Sequence, residues 1–180
     1  MKEKVIEKTI EWAKVITLAI CMGLIVTYFI VPTVVSGESM YPTLNTKDYL
    51  IINKLAYKTG NPNRGDIVVF KTDLKSSDGE KKSLVKRIIG LPNDHLVIKS
   101  GQVYINDKLI DEPYLEDTYT AGDIDIKIPS DSYFAMGDNR LVSKDSRDSD
   151  VGVVNKNEIV GEVSMRLFPF QSLGEIKWKI

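Results

Sequence analysis

The sequence predicts a mainly β protein, an antiparallel β domain preceded by one N-terminal transmembrane helix. Three observations carry this. An uncharged run of 21 residues, Val15 to Val35, stands near the start. After it, short β-branched and aromatic segments alternate with turn formers about every ten residues, the spacing of a sandwich or barrel. No segment beyond the run keeps an apolar period of 3.6.

The run is long enough to span a bilayer as a helix, at 1.5 Å per residue about 30 Å. Lys2, Lys4, Lys8 and Lys14 precede it, and only Lys47 falls in the fifteen residues after it. The positive-inside rule then places residues 1–14 in the cytoplasm, 15–35 in the cell membrane and 36–180 outside, a single-pass protein in contact with lipid. Trp12 and Tyr28 suit the two interfaces. A cleaved leader is the alternative, but the run exceeds the roughly 7–15 apolar residues of such segments, and no small-x-small site follows it.

Strands are expected at Tyr49–Asn53, Ile67–Lys71, Leu84–Ile89, His95–Lys99, Gln102–Asn106, Lys108–Ile110, Ile124–Ile128, Tyr133–Met136 and Ile159–Phe168. Asn, Gly and Pro clusters such as Thr59–Gly65 and Ser100-Gly101 punctuate them. Thr72–Ser83, with a Ser-Ser-Asp-Gly centre, reads as a hairpin or mobile loop. Glu112–Asp123 and Gly137–Asp150 read as irregular.

The net charge of −1 leaves no basic field for nucleic acid. The one cysteine, Cys21, lies in the apolar run, so there is no internal disulfide. His95 is the one histidine, which excludes the usual Cys/His zinc site; no metal or cofactor motif is present.

Chemistry has few places to reside. Ser39 lies in SGESMYPTL, Ser36 to Leu44, between Gly37 and Pro42, on a stiff turn next to the proposed membrane surface. It is either a nucleophile or a turn serine. Alternation in Leu84–Ile89 places Lys86 with Leu84 and Ile88. It either snorkels at a sheet edge or is desolvated, its amine made a base by burial. A Ser-His-Asp triad would depend wholly on His95, which opens an alternating strand as a surface or cap residue does. The stretch Gly137–Asp148 gathers Asp138, Arg140, Asp145, Arg147 and Asp148, a solvated loop or an ion-pair network that orients a neighbouring amine.

Four stretches, in order, resemble those of bacterial type I signal peptidases: SGESMYPTL, RGDIVVFK (Arg64–Lys71), KRIIGLPND (Lys86–Asp94) and GDNRLVSKDSR (Gly137–Arg147). The resemblance implies a membrane-bound serine endopeptidase, a Ser/Lys dyad hydrolase of protein secretion that cleaves signal peptides from exported preproteins without cofactor or metal. It implies Ser39 as nucleophile and Lys86 as general base, and the lysine rather than histidine at that position points to the bacterial type. Ser143 matches a serine that orients the lysine. Asp145 and Arg147 match a supporting salt bridge, with Asp138 near it. Gly37 stands where some members carry a hydroxyl donor to the oxyanion, which leaves that region its backbone or a water in the donor's place. Met40, Tyr133 and Phe134 are candidates for the substrate pocket, by proximity to these stretches. Two other readings remain: a self-cleaving repressor-type Ser/Lys protease, for which the N-terminus leaves no room for a DNA-binding domain, and an anchored β domain that binds peptides without chemistry.

Overall fold

The computed structural model describes residues 2–76 and 79–176, with the backbone alone at residues 2–5, 25–27, 59 and 175. Helix α1 (Lys2–Phe29) leads into strand β1 (Ile30–Val34), β2 (Tyr49–Asn53) and the short α2 (Ala56–Thr59). Then come β3 (Ile67–Lys75), β4 (Lys81–Gly90), β5 (His95–Lys99), β6 (Gln102–Ile105), β7 (Lys108–Leu109), β8 (Ile124–Lys127) and β9 (Ser132–Met136). The chain closes with β10 (Val154–Asn155), β11 (Ile159–Phe168) and β12 (Gly174–Glu175).

These form two antiparallel sheets. The larger runs β1-β2-β11-β3-β4-β9-β10, with β12 on β11; the smaller runs β7-β6-β5-β8. Period-2 patterning explains the cores. In β3, Ile67 and Val69 face one way into a cluster with Val35, Met40, Leu44, Leu50, Ile52 and Val163. Val68 and Phe70 face the other way, onto Leu84, Ile88, Tyr133 and Ala135. A strand buried on both faces reads as a continuous apolar run, and IVVF does so. The smaller sheet packs its Leu96, Ile98, Val103 and Ile105 against Ile89, Phe134 and Met136 of the larger.

Two expectations need correction. The apolar run was expected to be helical to Val35, but the helix ends at Phe29. Ile30–Val34 pairs instead with β2, Val31 opposite Ile52 and Thr33 opposite Leu50. β-branched residues suit an extended strand as well as an apolar helix, and Pro32 ends helices but is accepted on an edge strand such as β1. The first half of α1 is charged, so its uncharged part, Val15 to Phe29, is about 22 Å long. Among the described residues, no helix is long and apolar enough to cross a membrane. Second, Tyr133 and Phe134 do not line the groove described below. Consecutive residues of β9 point to opposite faces, and both faces are core, leaving them 2% and 1% exposed. Of the two readings of Thr72–Ser83, hairpin or mobile loop, the structure has the hairpin, its flanks extending β3 and β4. Ser77 and Asp78 of its Ser-Ser-Asp-Gly centre lie outside the described residues.

Leu50 is fully buried in the β2 core, whereas Leu109 is 55% exposed at a sheet end. Leu50→Ala is expected to lower unfolding free energy by about 3 kcal/mol, and Leu109→Ala by less than about 0.5 kcal/mol, in urea titrations of the two variants.

Candidate active site

The Ser36–Leu44 segment is held by its apolar residues. Val35, Met40 and Leu44 are buried, while Ser36, Gly37 and Glu38 remain exposed. The Val35 N–H donates to Asp48 O and the Lys47 N–H to Val35 O, both at 2.9 Å. The Tyr41 N–H closes a turn onto Glu38 O at 3.1 Å, with Ser39 inside it. Gly37 holds φ +97°, a conformation that side chains disfavour. The Asn139 N–H donates to Ser39 O at 3.0 Å, which fastens the turn to the Gly137–Arg147 loop. That loop passes so close that a Cβ on Gly137 would lie 2.3 Å from Ser39 O and 2.2 Å from Ser143 Oγ, so only glycine fits there.

Lys86 lies in β4 opposite Val68 of β3, flanked by Leu84 and Ile88. It is 2% exposed, and its Nζ lies 2.6 Å from Ser39 Oγ. The sequence left open whether Lys86 snorkels or is desolvated; here it is desolvated. Burial is the largest influence on the amine and lowers its pKa from 10.5 to about 8. Asp145 and Asp138 pull the value up, while Lys82 and Arg147 push it down. Below that value the ammonium donates to Ser39 Oγ. Above it the neutral amine is able to accept the hydroxyl proton, so the same contact serves proton abstraction.

The carboxylates nearby are each engaged by an arginine. Arg147 Nε and Nη2 donate to Asp145 Oδ1 and Oδ2 at 2.8 and 2.9 Å, and the Gly137 N–H donates to Oδ2 at 3.0 Å. Burial pushes the Asp145 carboxyl up, but the Arg147 hydrogen bonds and charge prevail and hold it below its ordinary value. Asp138 was expected near that pair. It binds Arg87, whose Nε lies at 2.9 Å and Nη2 at 2.6 Å, both side chains fully buried. Arg87 also donates to Gly65 O at 2.9 Å and to Thr43 Oγ1 at 3.3 Å, and its guanidinium lies 3.9 Å from the Tyr114 ring centroid.

Arg87 is thus a residue that sequence reasoning missed. Its signal was a second charge inside an otherwise apolar strand, directly after Lys86. Ser143 is placed beside Gly137, close enough to Asp145 for its hydroxyl to help hold that carboxyl down, and its buried Oγ makes no hydrogen bond to Lys86. His95 is remote in role: on β5 of the smaller sheet, its Nε2 lies 2.7 Å from Asp125 Oδ1.

Ser39 and Lys86 open onto a cavity of about 660 Å³ lined among others by Val34, Gly37, Met40, Val69, Leu84 and Val142. Met40 lines this cavity. β9 pairs with β4 only from Arg87 onward, so the preceding stretch of β4 presents an edge to this groove.

The sequence model of the family described as "Signal peptidase, peptidase S26" matches residues 9–168. The chain is 38% identical over 186 residues to signal peptidase I U of Bacillus subtilis (strain 168), covering 98% of this chain and 96% of that protein. It is 38% identical over 183 residues to signal peptidase IB of Staphylococcus aureus (strain Mu50 / ATCC 700699), covering 91% and 92%. A crystal structure of a signal peptidase I from Enterococcus faecalis V583 aligns at 28% identity with a TM-score of 0.47, over 58% of this chain and 98% of that one.

The lowered amine has a consequence for stability. Between pH 8 and pH 10.5 the unfolded lysine binds a proton that the folded one has released, so stability rises with pH there. At pH 7 both are protonated, and the buried charge costs about 3 kcal/mol. Lys86→Met is expected to raise unfolding free energy by about 2–3 kcal/mol at pH 7, a gain that fades toward pH 10.5, as measured by urea unfolding across that range.

Proposed function

The chain belongs to the signal peptidase family, peptidase S26, and is a peptidase; from that premise we propose that it removes signal peptides from exported preproteins with a Ser39/Lys86 dyad. The observation that carries this is the 2.6 Å contact between Ser39 Oγ and the amine of a lysine kept almost dry. A serine hydroxyl is a weak nucleophile until a neighbouring base takes its proton, and a lysine near pKa 8 is neutral often enough to do so.

In this reading the substrate's extended segment adds along the free edge of β4, its backbone matched to strand hydrogen bonding, while small side chains enter the apolar cavity. Lys86 takes the Ser39 proton as Oγ attacks the scissile carbonyl. The oxyanion meets the Ser39 N–H, for which no acceptor stands among the described residues. Collapse of the tetrahedral intermediate transfers the proton from Lys86 to the leaving amine. Water then attacks the acyl carbon as Lys86 takes its proton, and Lys86 returns that proton to Ser39 Oγ as the bond from Oγ to the acyl group breaks.

The anchor belongs to the same proposal. From Trp12 to Phe29 the one charged residue is Lys14, about 27 Å of helix, and a lysine at the end of a span snorkels to the interface. Ile16, Leu18, Ile20 and Met22 are exposed, with no protein surface over them among the described residues. An apolar helix without a protein partner is satisfied by lipid. The lysines before it support a cytoplasmic N-terminus, with residues 36–180 on the outer face.

Cleavage of a preprotein in detergent or vesicles tests the dyad. Ser39→Ala and Lys86→Ala are expected to lose at least about 10³-fold in rate while their circular dichroism stays native, and His95→Ala to stay near wild type. Loss in His95→Ala equal to that in Lys86→Ala would replace the lysine with a histidine base.

The same assay read against pH gives a separate check. The rate at low substrate is expected to climb through a limb near pH 8, the amine being active when deprotonated. Removing the Lys82 charge, which pushes the amine down, moves that limb to higher pH in Lys82→Gln. A profile flat from about pH 6 to about pH 10 refutes Lys86 as base.

A further inference from the structure

At the foot of α1 lies a second cavity, of about 350 Å³, away from Ser39 and Lys86. Its walls come from four segments remote in sequence: Tyr28 and Phe29 at the end of α1, Lys54 after β2, Lys58 in α2, and Lys156 and Asn157 after β10. Among the described residues no carboxylate lines it. We infer that this pocket binds the phosphate group of an anionic phospholipid headgroup where α1 leaves the bilayer.

Three lysines brought to one concavity repel each other, a charge arrangement that an anion relieves. The lysines keep donors to offer. Lys156 Nζ gives one hydrogen bond, to Asn61 Oδ1 at 2.6 Å, from an ammonium with three protons. Lys58 Nζ lies over the Tyr28 and Phe29 rings, 5.6 and 5.0 Å from their centroids, and spends no proton on a carboxylate. The Lys54 side chain has no partner among the described residues. Its backbone N–H donates to Phe29 O at 3.0 Å, which fixes the pocket floor to the last turn of the helix. Tyr57, also in the wall, has its hydroxyl committed to Asp66 Oδ2 at 2.8 Å.

The occupant is a lipid rather than a free phosphate because of what else forms the walls. Tyr28, Phe29, Ile159 and Val160 give an apolar side beside the cationic one. Aromatic residues ending a spanning helix lie at headgroup depth, where basic pockets beside such helices meet lipid phosphates. The inference rests on the anchoring proposed above; it does not depend on the dyad.

Amine footprinting of the full chain, reconstituted in phosphatidylcholine vesicles with or without phosphatidylglycerol, tests it. Modification of Lys54, Lys58 and Lys156 by an acylating reagent is expected to fall several-fold with phosphatidylglycerol, while exposed Lys108 reacts equally in both. Inorganic phosphate added to pure phosphatidylcholine vesicles is expected to protect none of the three; protection equal to that by phosphatidylglycerol assigns the pocket to free anions and overturns the lipid. Flotation of the same vesicles reports anchoring separately. A chain that floats but reacts equally at all three lysines refutes the pocket and leaves the anchor standing. A chain that does not float refutes the anchor and the inference with it. Phosphatidylglycerol is expected to stimulate preprotein cleavage several-fold in the wild type, and the triple variant Lys54→Gln, Lys58→Gln, Lys156→Gln is expected to float as wild type without that stimulation; equal rates with and without phosphatidylglycerol in the wild type, or equal stimulation in the variant, refute a functional headgroup site.

Discussion

The desolvation of Lys86 is the constraint on which the rest of the site depends. Two carboxylates, Asp145 and Asp138, lie close enough to pull its amine toward the charged form. Left free, they would oppose burial and hold the amine's pKa nearer its ordinary value. Each is instead bound at both oxygens by its own arginine, Arg147 and Arg87. Their fields at Lys86 are thereby offset by cations held at hydrogen-bonding distance, and desolvation prevails. Arg147 itself acts to lower the amine's pKa. A buried ion pair adds little net stability over an apolar replacement. Here the two pairs support the site differently, by cancelling charge around a lysine that has to be neutral to act as proposed.

Those pairs also fix positions. Arg87 follows Lys86 in β4, so anchoring Arg87 to Asp138, Gly65 and Thr43 sets the register and tilt of the strand that carries the amine. Thr43 belongs to the segment bearing Ser39, and Asp138 to the loop that takes Ser39 O through the Asn139 N–H. One guanidinium therefore links the three segments that meet at the 2.6 Å contact. The absent side chain of Gly137 lets the loop approach closely enough for that link to close.

Much of this was legible in the sequence where local patterning decides structure. Tyr49–Asn53 and Ile159–Phe168 form strands over the expected residues, and His95–Lys99 turns back at Ser100-Gly101, because alternation and turn chemistry act within a few residues. Ser39 and Lys86 were legible as candidates by composition and resemblance, and their 47-residue separation is closed only by the fold. β1 was hidden because five β-branched and apolar residues continuing an apolar helix look the same whether lipid or a neighbouring strand receives them. The partner of Asp138 was hidden because it is 51 residues away. Arg147, two residues from Asp145, was legible, since such a pair needs no tertiary information. Tyr133 and Phe134 misled because nearness in sequence to a site says nothing about which face of a strand looks into it.

The strand hidden in the apolar run has a consequence for the proposed reaction. β1 joins the end of α1 to the segment that carries Ser39, and its five residues span about 17 Å as a strand. A flexible linker of that length would let the β domain wander over the bilayer. Pairing with β2 from Ile30↔Asn53 to Val34↔Tyr49 makes it a rigid spacer instead. β2 is in turn paired with β11, and β11 with β3, the neighbour of the strand bearing Lys86. In the proposed anchored reading, the distance from the bilayer to Ser39 and Lys86 is then set by sheet geometry. A signal peptide whose apolar segment stays in lipid would present its extended residues to Ser39 at a fixed reach of about 3.3 Å per residue. In the proposed reading, the sheet measures where the cut falls, and the apolar groove need only choose among the few bonds that this length brings to Ser39.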